Sequence, residues 1–315
     1  MRLDDYRSSD NVRDQGSGGG GSGFGGFGGG GGGGGLFGML FGLVLSRFGI
    51  GGVLVLALGY CALTSLGGGG RLGVSGSGTA VAPHQQGGTA GQSAQQVCSA
   101  DPARKFSCQV LASTEDTWTR VFQARGQQYE PAQFAFYQGG TNSGCGAAQS
   151  AMGPFYCPSD NSIYLDTSFY EELQTKFRAA GDFAQAYVIA HEVGHHIQHL
   201  TGVLDQANKQ QRASSSREGN AIQVRVELQA DCYAGVYAAN AKDRQGQAVM
   251  EPGDVQEGLT AAAAIGDDTL QRQAQGRVMP ESFTHGSAEQ RQRWLQKGLS
   301  TGDPAACDTF SAASV

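Results

Sequence analysis

Glycine is concentrated in the first third of this chain, and that distribution restricts where a folded domain can form. The chain has 315 residues, 51 of them glycine, and residues 16–35 consist almost entirely of glycine and serine. Such a tract buries too little apolar surface to offset the entropy of the chain. We therefore predict a disordered tail over residues 1–35 and one domain of ordinary size over residues 98–315.

An apolar region follows the glycine tract at residues 36–66. Residues 48–66 carry no charged side chain, and their number is close to the roughly 20 that a transmembrane helix needs. A cleaved signal peptide would lie nearer the N-terminus, and a lipoprotein cysteine would follow a small residue, whereas Tyr60 precedes Cys61. We predict an uncleaved, single-pass transmembrane helix over residues 48–66, followed by a flexible linker over residues 67–97.

Six cysteines follow this apolar region. An even number of cysteines in that position favours disulfides in an oxidising compartment, with free thiols as the alternative. We accordingly predict a cytoplasmic N-terminus and a C-terminal domain on the periplasmic or extracytoplasmic side. The spacing does not fix the connectivity, but it favours two local pairs and one long-range pair: Cys98–Cys108, Cys145–Cys157 and Cys232–Cys307.

The hydrophobic pattern of the domain predicts an α+β fold that is mainly helical with a small sheet. Strand-like alternation occupies residues 133–138 and 162–166. Helical periodicity and helix start signals predict six helices, at residues 110–125, 168–179, 183–200, 218–241, 254–275 and 288–298. The net charge is −6, and no run of basic residues follows one face of a helix. Nucleic-acid binding is therefore not expected.

One segment of the helix at residues 183–200 carries recognisable chemistry. His191 and His195 are four residues apart, so their side chains lie on the same face of the helix and can reach one metal ion. Neutral imidazole suits zinc. Glu192 is placed to contact a water on the metal and to take its proton as a general base. This H-E-x-x-H pattern predicts a metallopeptidase site.

A catalytic zinc also needs a third protein ligand and one open position. Glu227 and Asp231 lie four residues apart on the next long predicted helix and share a face. We predict that Glu227 coordinates one zinc ion per chain. Asp231 would accept a hydrogen bond from the far ring nitrogen of a ligand histidine.

Two further residues are candidates for the substrate side of the site. His285 precedes the last predicted helix and Arg291 lies within it. A cationic or imidazole donor near the metal would stabilise the oxyanion that develops during peptide hydrolysis. His196 and His199 fall off the ligand face, and we expect them to be structural or exposed.

Several stretches of the chain resemble a known family, the neutral zinc metallopeptidases of bacteria (the YpfJ type). The resemblance runs over nearly the full length and includes the glycine-rich tract and the apolar segment. The matching stretches are MRLDDYRSSDNVRDQ, TEDTW, NSIYLD, AHEVGHHIQ, ELQADCYAG and FTHGSAEQR.

The stretches around Glu227 and His285 are also similar to those of membrane peptidases of the HtpX and Ste24 kind, although this chain has one predicted span and those have several. That likeness implies a zincin-like, gluzincin type of domain in which Glu227 is the third ligand. It also implies that Ile163, Tyr164 and Leu165 form an edge strand along which a peptide lies.

Together these features predict a membrane-anchored zinc metallopeptidase that hydrolyses peptide bonds by metal-activated water, with Glu192 as general base. The expected partners are a peptide or protein substrate and a membrane, and the oligomeric state is not predicted. One alternative is a non-catalytic zinc-binding factor for envelope assembly, for which Glu192 would be unnecessary. Another is a structural envelope protein held by disulfides, which would bind no metal.

Overall fold

The computed structural model describes residues 1–17 and 92–315. Both ranges belong to one compact unit. The predicted anchor at residues 48–66 and most of the predicted linker lie outside the described residues. Among the helices of the two described ranges, none is both long enough and apolar enough to cross a membrane.

A four-stranded sheet forms one side of the domain. Its strands occur in the spatial order β1-β2-β6-β5. β1 pairs with β2, and β2 with β6, in parallel, whereas β5 runs antiparallel to β6. β3 and β4 form a separate antiparallel hairpin. The strands are β1 Val12–Ser17, β2 Gln133–Gln138, β3 Gly140–Ser143, β4 Gly146–Gln149, β5 Phe155–Cys157 and β6 Ser162–Asp166.

The first residues of the chain belong to this fold, so the prediction of a disordered tail over residues 1–35 is wrong for residues 1–17. β1 is a full member of the sheet, and the side chains of Met1 and Leu3 are buried in the main core. The polar composition of this segment does not predict a strand. β1 is stabilised by its pairing with β2, which is distant in sequence and cannot be recognised from the segment alone.

The strand predicted to line the substrate cleft is an interior strand. β6 has β2 on one side and β5 on the other, so Ile163, Tyr164 and Leu165 do not form an edge. All three side chains are buried. Ile163 and Leu165 face the main core, while Tyr164 belongs to a small cluster on the opposite face of the sheet. The edge beyond β6 is formed by β5.

Nine helices in the described ranges cover the sheet and build the rest of the domain. The longest, α6, starts with a capping box in which Ser215 and Glu218 satisfy each other's backbone N–H groups. The helices are α1 Ala94–Cys98, α2 Pro102–Gln123, α3 Ser168–Thr175, α4 Asp182–Leu200, α5 Val203–Arg212, α6 Ser216–Asn240, α7 Asp254–Ala264, α8 Asp267–Gln275 and α9 Ala288–Thr301.

Three helix predictions differ clearly from the structure, and one of them, at residues 168–179, is a helix that ends at Thr175. α2 begins eight residues before the expected start, because Asp101 caps its first turn and Pro102 occupies the first helical position. The helix predicted at residues 254–275 is two helices, separated at Gly266. A β-carbon at Gly266 would lie 2.4 Å from the backbone nitrogen of Ala288, so the chain breaks there to pass close to the start of α9.

Glycines allow α6 to approach its two neighbours closely. A β-carbon at Gly194 of α4 would lie 2.9 Å from the Cα atom of Ala230 in α6. On the other side of α6, a β-carbon at Gly298 of α9 would lie 2.0 Å from the carbonyl oxygen of Cys232. A larger residue at either position would clash with the backbone of α6. The two glycines therefore allow α4 and α9 to pack closely against the part of α6 around Ala230 and Cys232.

Three disulfides join the six cysteines of the domain in the pairing that the spacing favoured: Cys98–Cys108, Cys145–Cys157 and Cys232–Cys307. Five of these cysteines are buried and Cys145 is exposed. Cys232 directly follows Asp231 in α6, so the third bridge attaches the C-terminal segment of the chain to the helix that carries the candidate ligands.

Candidate metal centre

Three predicted ligands meet between α4 and α6. The Nε2 atom of His191 lies 3.2 Å from Oε2 of Glu227, and the Nε2 atom of His195 lies 3.7 Å from the same oxygen. One ligand atom from each of the three residues falls within 4.8 Å of the other two, which is close enough to hold one metal ion. The close approach at Gly194 places α6 where Glu227 can reach the two histidines.

The charges of the group suit a cation. Burial raises the pKa of Glu227, but the imidazoles of His195 and His191 outweigh that effect and hold it well below its ordinary value. Glu227 is therefore an anion. Its other oxygen accepts a hydrogen bond of 2.9 Å from Nε2 of Gln223, one helical turn earlier. Two imidazole nitrogens and one carboxylate oxygen form a donor set that zinc prefers.

Asp231 lies beside the ring nitrogen of His191 that faces away from Glu227. The Nδ1 atom of His191 lies 2.8 Å from Oδ1 of Asp231. Tyr187, one turn before His191 on α4, donates its hydroxyl to the same oxygen at 2.6 Å. Burial raises the pKa of Asp231, but Arg291 and His191 lower it below the ordinary value. An anionic Asp231 fixes the His191 ring with its Nε2 atom toward Glu227.

Arg291 does not face the cleft, so the expected substrate-side role of this residue is wrong. Its side chain is 2 % exposed. Its Nε and Nη2 atoms donate to the two oxygens of Asp231, each at 2.9 Å, and Nη2 also donates to the Tyr187 hydroxyl at 3.1 Å. Helical periodicity predicts α9 but not the rotation of this helix about its axis. That rotation directs Arg291 into the protein, behind Asp231.

A second hydrogen-bonded group orients His195. Its Nδ1 atom lies 2.9 Å from Oε1 of Gln198, three residues later on α4. Gln198 in turn donates to the carbonyl oxygen of Val226 at 2.7 Å and to Oε1 of Gln229 at 3.0 Å. The ring of His195 is thus held by contacts that end on α6, beside Glu227.

Glu192 follows the first ligand and lies in a nearly closed environment, 7 % exposed. Burial raises the pKa of Glu192, and the neighbouring imidazoles of His195 and His191 oppose that rise only in part. A carboxylate whose pKa is raised accepts and returns a proton near neutral pH more readily than an ordinary one.

His285 lies on the loop between α8 and α9, and its side chain is 38 % exposed. Its Nδ1 atom contacts Oδ1 of Asp267 at 3.2 Å, and its backbone N–H donates to Oδ2 of Asp267 at 2.6 Å. Burial lowers the pKa of His285, but Asp267 and the nearby Glu227 raise it above the ordinary value. His285 is thus the only one of the two predicted substrate-side residues that is accessible.

The edge strand β5 is linked by hydrogen bonds to α4, the helix that carries the candidate ligands His191 and His195. The Tyr156 hydroxyl lies 3.0 Å from Nδ1 of His196 and 2.8 Å from Nδ1 of His199. The Nε2 atom of His196 lies 2.6 Å from the carbonyl oxygen of Glu130. His196 and His199 therefore have the structural role that was expected, and Tyr156 fixes β5 beside α4.

Sequence reasoning missed several residues that support the site. Most of them stand at helical spacing from a ligand: Tyr187 four before His191, Gln198 three after His195, and Gln223 four before Glu227. That spacing was an available signal. No comparable signal marked Tyr156 or Gly194.

The packed helices α4 and α6 thus bring His191, His195 and Glu227 together as a candidate metal site, and Glu192 directly follows His191. This chain belongs to the family described as "Putative neutral zinc metallopeptidase", whose model matches residues 1–310. It is 52 % identical over 210 residues to "Uncharacterized protein YpfJ" of Escherichia coli strain K12, covering 67 % of this chain and 72 % of that protein.

A mycobacterial relative shows a similar likeness. "Uncharacterized protein Mb2605" of Mycobacterium bovis is 45 % identical over 224 residues, covering 69 % of this chain and 74 % of that protein. No solved structure matches the chain. The expected resemblance to the neutral zinc metallopeptidases of bacteria is confirmed.

Proposed function

We propose that this protein is a zinc-dependent metallopeptidase that hydrolyses peptide bonds and binds one zinc ion per chain. The convergence of His191 Nε2, His195 Nε2 and Glu227 Oε2 carries this proposal. Three protein ligands of this kind leave one coordination position open, as catalytic zinc sites do. Zinc at such a site supplies a Lewis acid that polarises a carbonyl group and makes a bound water more acidic.

Glu192 performs the proton transfers in this proposal. Its carboxylate takes a proton from the attacking water and delivers it to the nitrogen of the leaving amine. The raised pKa of Glu192 supports both steps, because it brings the pKa of this carboxyl group closer to that of the attacking water. His285, which is accessible, is the candidate donor to the oxyanion.

The edge of the sheet offers a place for the peptide. β5 is the outer strand of the described sheet, so the side of its backbone that faces away from β6 has no neighbouring strand there. A substrate in extended form can pair with it by β-augmentation. The contacts of Tyr156 with His196 and His199 hold this edge beside α4. This assignment moves the predicted substrate strand from β6 to β5.

The proposed location is a membrane, with the domain outside the cytoplasm. Three disulfides within the domain support an oxidising compartment. The apolar region at residues 36–66 is the part of the sequence proposed to contact the membrane.

Metal content and hydrolysis of the purified full-length protein test the function together. We expect about one zinc per chain in the wild type and in Glu192→Gln, and a loss of zinc in His191→Ala. Hydrolysis of labelled casein should disappear in Glu192→Gln and His191→Ala. Asp205→Asn is the matched control, because it also removes a carboxylate but lies at an exposed position on α5, outside the candidate ligand group.

Different failures of this experiment point to different conclusions. Zinc in the wild type with no hydrolysis, and a Glu192→Gln variant that still performs its cellular role, would indicate the non-catalytic assembly factor. No zinc in any variant, even after zinc is added back, would indicate a structural envelope protein. Near-normal hydrolysis by Glu192→Gln would refute the assignment of the general base.

A further inference from the structure

Residues 1–17 are built into the same fold as residues 92–315. β1 pairs with β2 in parallel, with Val12 opposite Phe134 and Asp14 opposite Phe136. Ahead of β1, Leu3 is 2 % exposed within the main hydrophobic core. These are contacts of a folded core, because they place apolar side chains and a hydrogen-bonded strand against the rest of the domain.

Polar contacts join the two parts as well. Glu115 of α2 is buried and accepts hydrogen bonds from Ser9 at 2.6 Å and from Asn11 at 2.9 Å. Asp14 of β1 forms an ion pair with Arg104 of α2 at 2.5 Å. The buried Glu115 carboxylate therefore depends on the N-terminal segment for these hydrogen bonds.

This packing restricts the membrane topology of the chain. The apolar residues 36–66 lie between β1 and β2 in the sequence. If that stretch crossed a bilayer once, β1 and β2 would lie on opposite sides of a hydrocarbon layer about 30 Å thick. Neighbouring strands are about 4.8 Å apart, so a single crossing and the β1–β2 pair exclude each other.

We propose that residues 1–17 and residues 92–315 lie on the same side of the membrane. The single-pass arrangement requires a cytoplasmic N-terminus and an exported domain. The proposal replaces that arrangement, because it places both parts on one side. This proposal is independent of the proposed function, because it rests on the packing of β1 and not on the metal site.

Cysteine accessibility in intact cells tests the proposal. Asp10 in the N-terminal segment and Asp205 on α5 are both exposed, and each can be changed to cysteine in a chain in which Cys61→Ser removes the cysteine outside the disulfides. A membrane-impermeant maleimide is added to spheroplasts, with and without detergent. The parent Cys61→Ser chain measures the background from the native cysteines.

The two sites should behave alike. Labelling of both Asp10→Cys and Asp205→Cys without detergent, or of neither until detergent is added, is the expected result. Labelling of one site alone without detergent would overturn the proposal, since it would place the two parts on opposite sides.

A second measurement shows whether the N-terminal packing exists in the protein itself. Leu3→Ala in the purified full-length chain should lower the melting temperature by several degrees, because it leaves a cavity in the core. Asp5→Ala, at an exposed position in the same segment, is the control and should leave it unchanged. An unchanged melting temperature for Leu3→Ala would remove the basis of the proposal.

Discussion

Asp231 has two roles in the structure, and the substitution Asp231→Asn should reveal both. The carboxylate orients His191 through its Nδ1 atom and neutralises Arg291, which is buried behind it. Asparagine has the same shape but no charge. It therefore leaves the guanidinium of Arg291 buried without a counter-ion, while the positions of the neighbouring atoms can stay the same.

The size of each effect follows from these contacts. Breaking a buried ion pair by removing one partner costs about 3–5 kcal/mol in the free energy of unfolding. Loss of a carboxylate that orients a ligand histidine typically lowers metal affinity by roughly 10- to 100-fold. Asp231→Asn should therefore show both a lower stability and a weaker zinc affinity.

Two assays measure these effects separately. Urea unfolding in the presence of a chelator gives the stability of the metal-free protein, and competition with a chromogenic chelator gives the zinc affinity. Asp205→Asn, an exposed position on α5, serves as the control for loss of a carboxylate. If Asp231→Asn matched this control in both assays, the assigned role of Asp231 would be wrong.

A double variant separates the two roles of Asp231. Changing Asp231→Leu together with Arg291→Met removes both charges and fills a similar volume. Replacing a buried ion pair by apolar side chains is often neutral or stabilising, so stability should recover much of its loss. Zinc affinity should remain low, because His191 still lacks its partner. Recovery of both properties would mean that Asp231 affects zinc only through stability.

Three further substitutions follow from the packing. Gly298→Ala should lower the free energy of unfolding by at least about 1–3 kcal/mol in a urea titration, because the new β-carbon would lie 2.0 Å from a backbone oxygen; an unchanged value would refute the close approach. Tyr156→Phe should raise KM for a peptide substrate without changing zinc content, since it releases β5 from α4; loss of zinc instead would place Tyr156 in the metal site. Burial raises the pKa of Asp166, but hydrogen bonds from Ser150 and nearby backbone N–H groups lower it overall, below the ordinary value of 3.8. The Asp166 carboxylate should therefore stabilise the folded protein above pH 3.8, and this contribution should disappear as the pH falls through the lowered pKa. The stability difference between wild type and Asp166→Asn should accordingly shrink in acid, and a difference that is constant down to pH 2 would contradict this.

The ligand geometry could be predicted from the sequence because it depends on helical spacing. His191 and His195 share a face at a separation of four residues, and the predicted helix at 183–200 nearly coincides with α4 at Asp182–Leu200. Glu227 and Asp231 share a face of α6 by the same rule. Local periodicity thus determined which side chains point in a common direction.

The parts that were missed depend on contacts between distant segments. The edge position predicted for β6 followed from the resemblance to zincin-like peptidases. The pattern of a buried strand could not test it, because interior and edge strands share that pattern, and the edge is formed by β5. The direction of Arg291 depends on how α9 packs on α6, where Gly298 permits close contact. β1 has no periodic pattern of its own and is recognisable only through its pairing with β2.

The pairing of β1 with β2 also sets an order of events during folding. β1 leaves the ribosome well before its partner β2, which is made more than a hundred residues later. A contact between such distant residues raises the contact order of the domain and slows the step that forms it. β1 therefore stays unpaired until β2 has been synthesised, and an unpaired strand is prone to aggregation and misfolding during that time. Although β1 is made before the other described strands, it is thus expected to be among the last to dock.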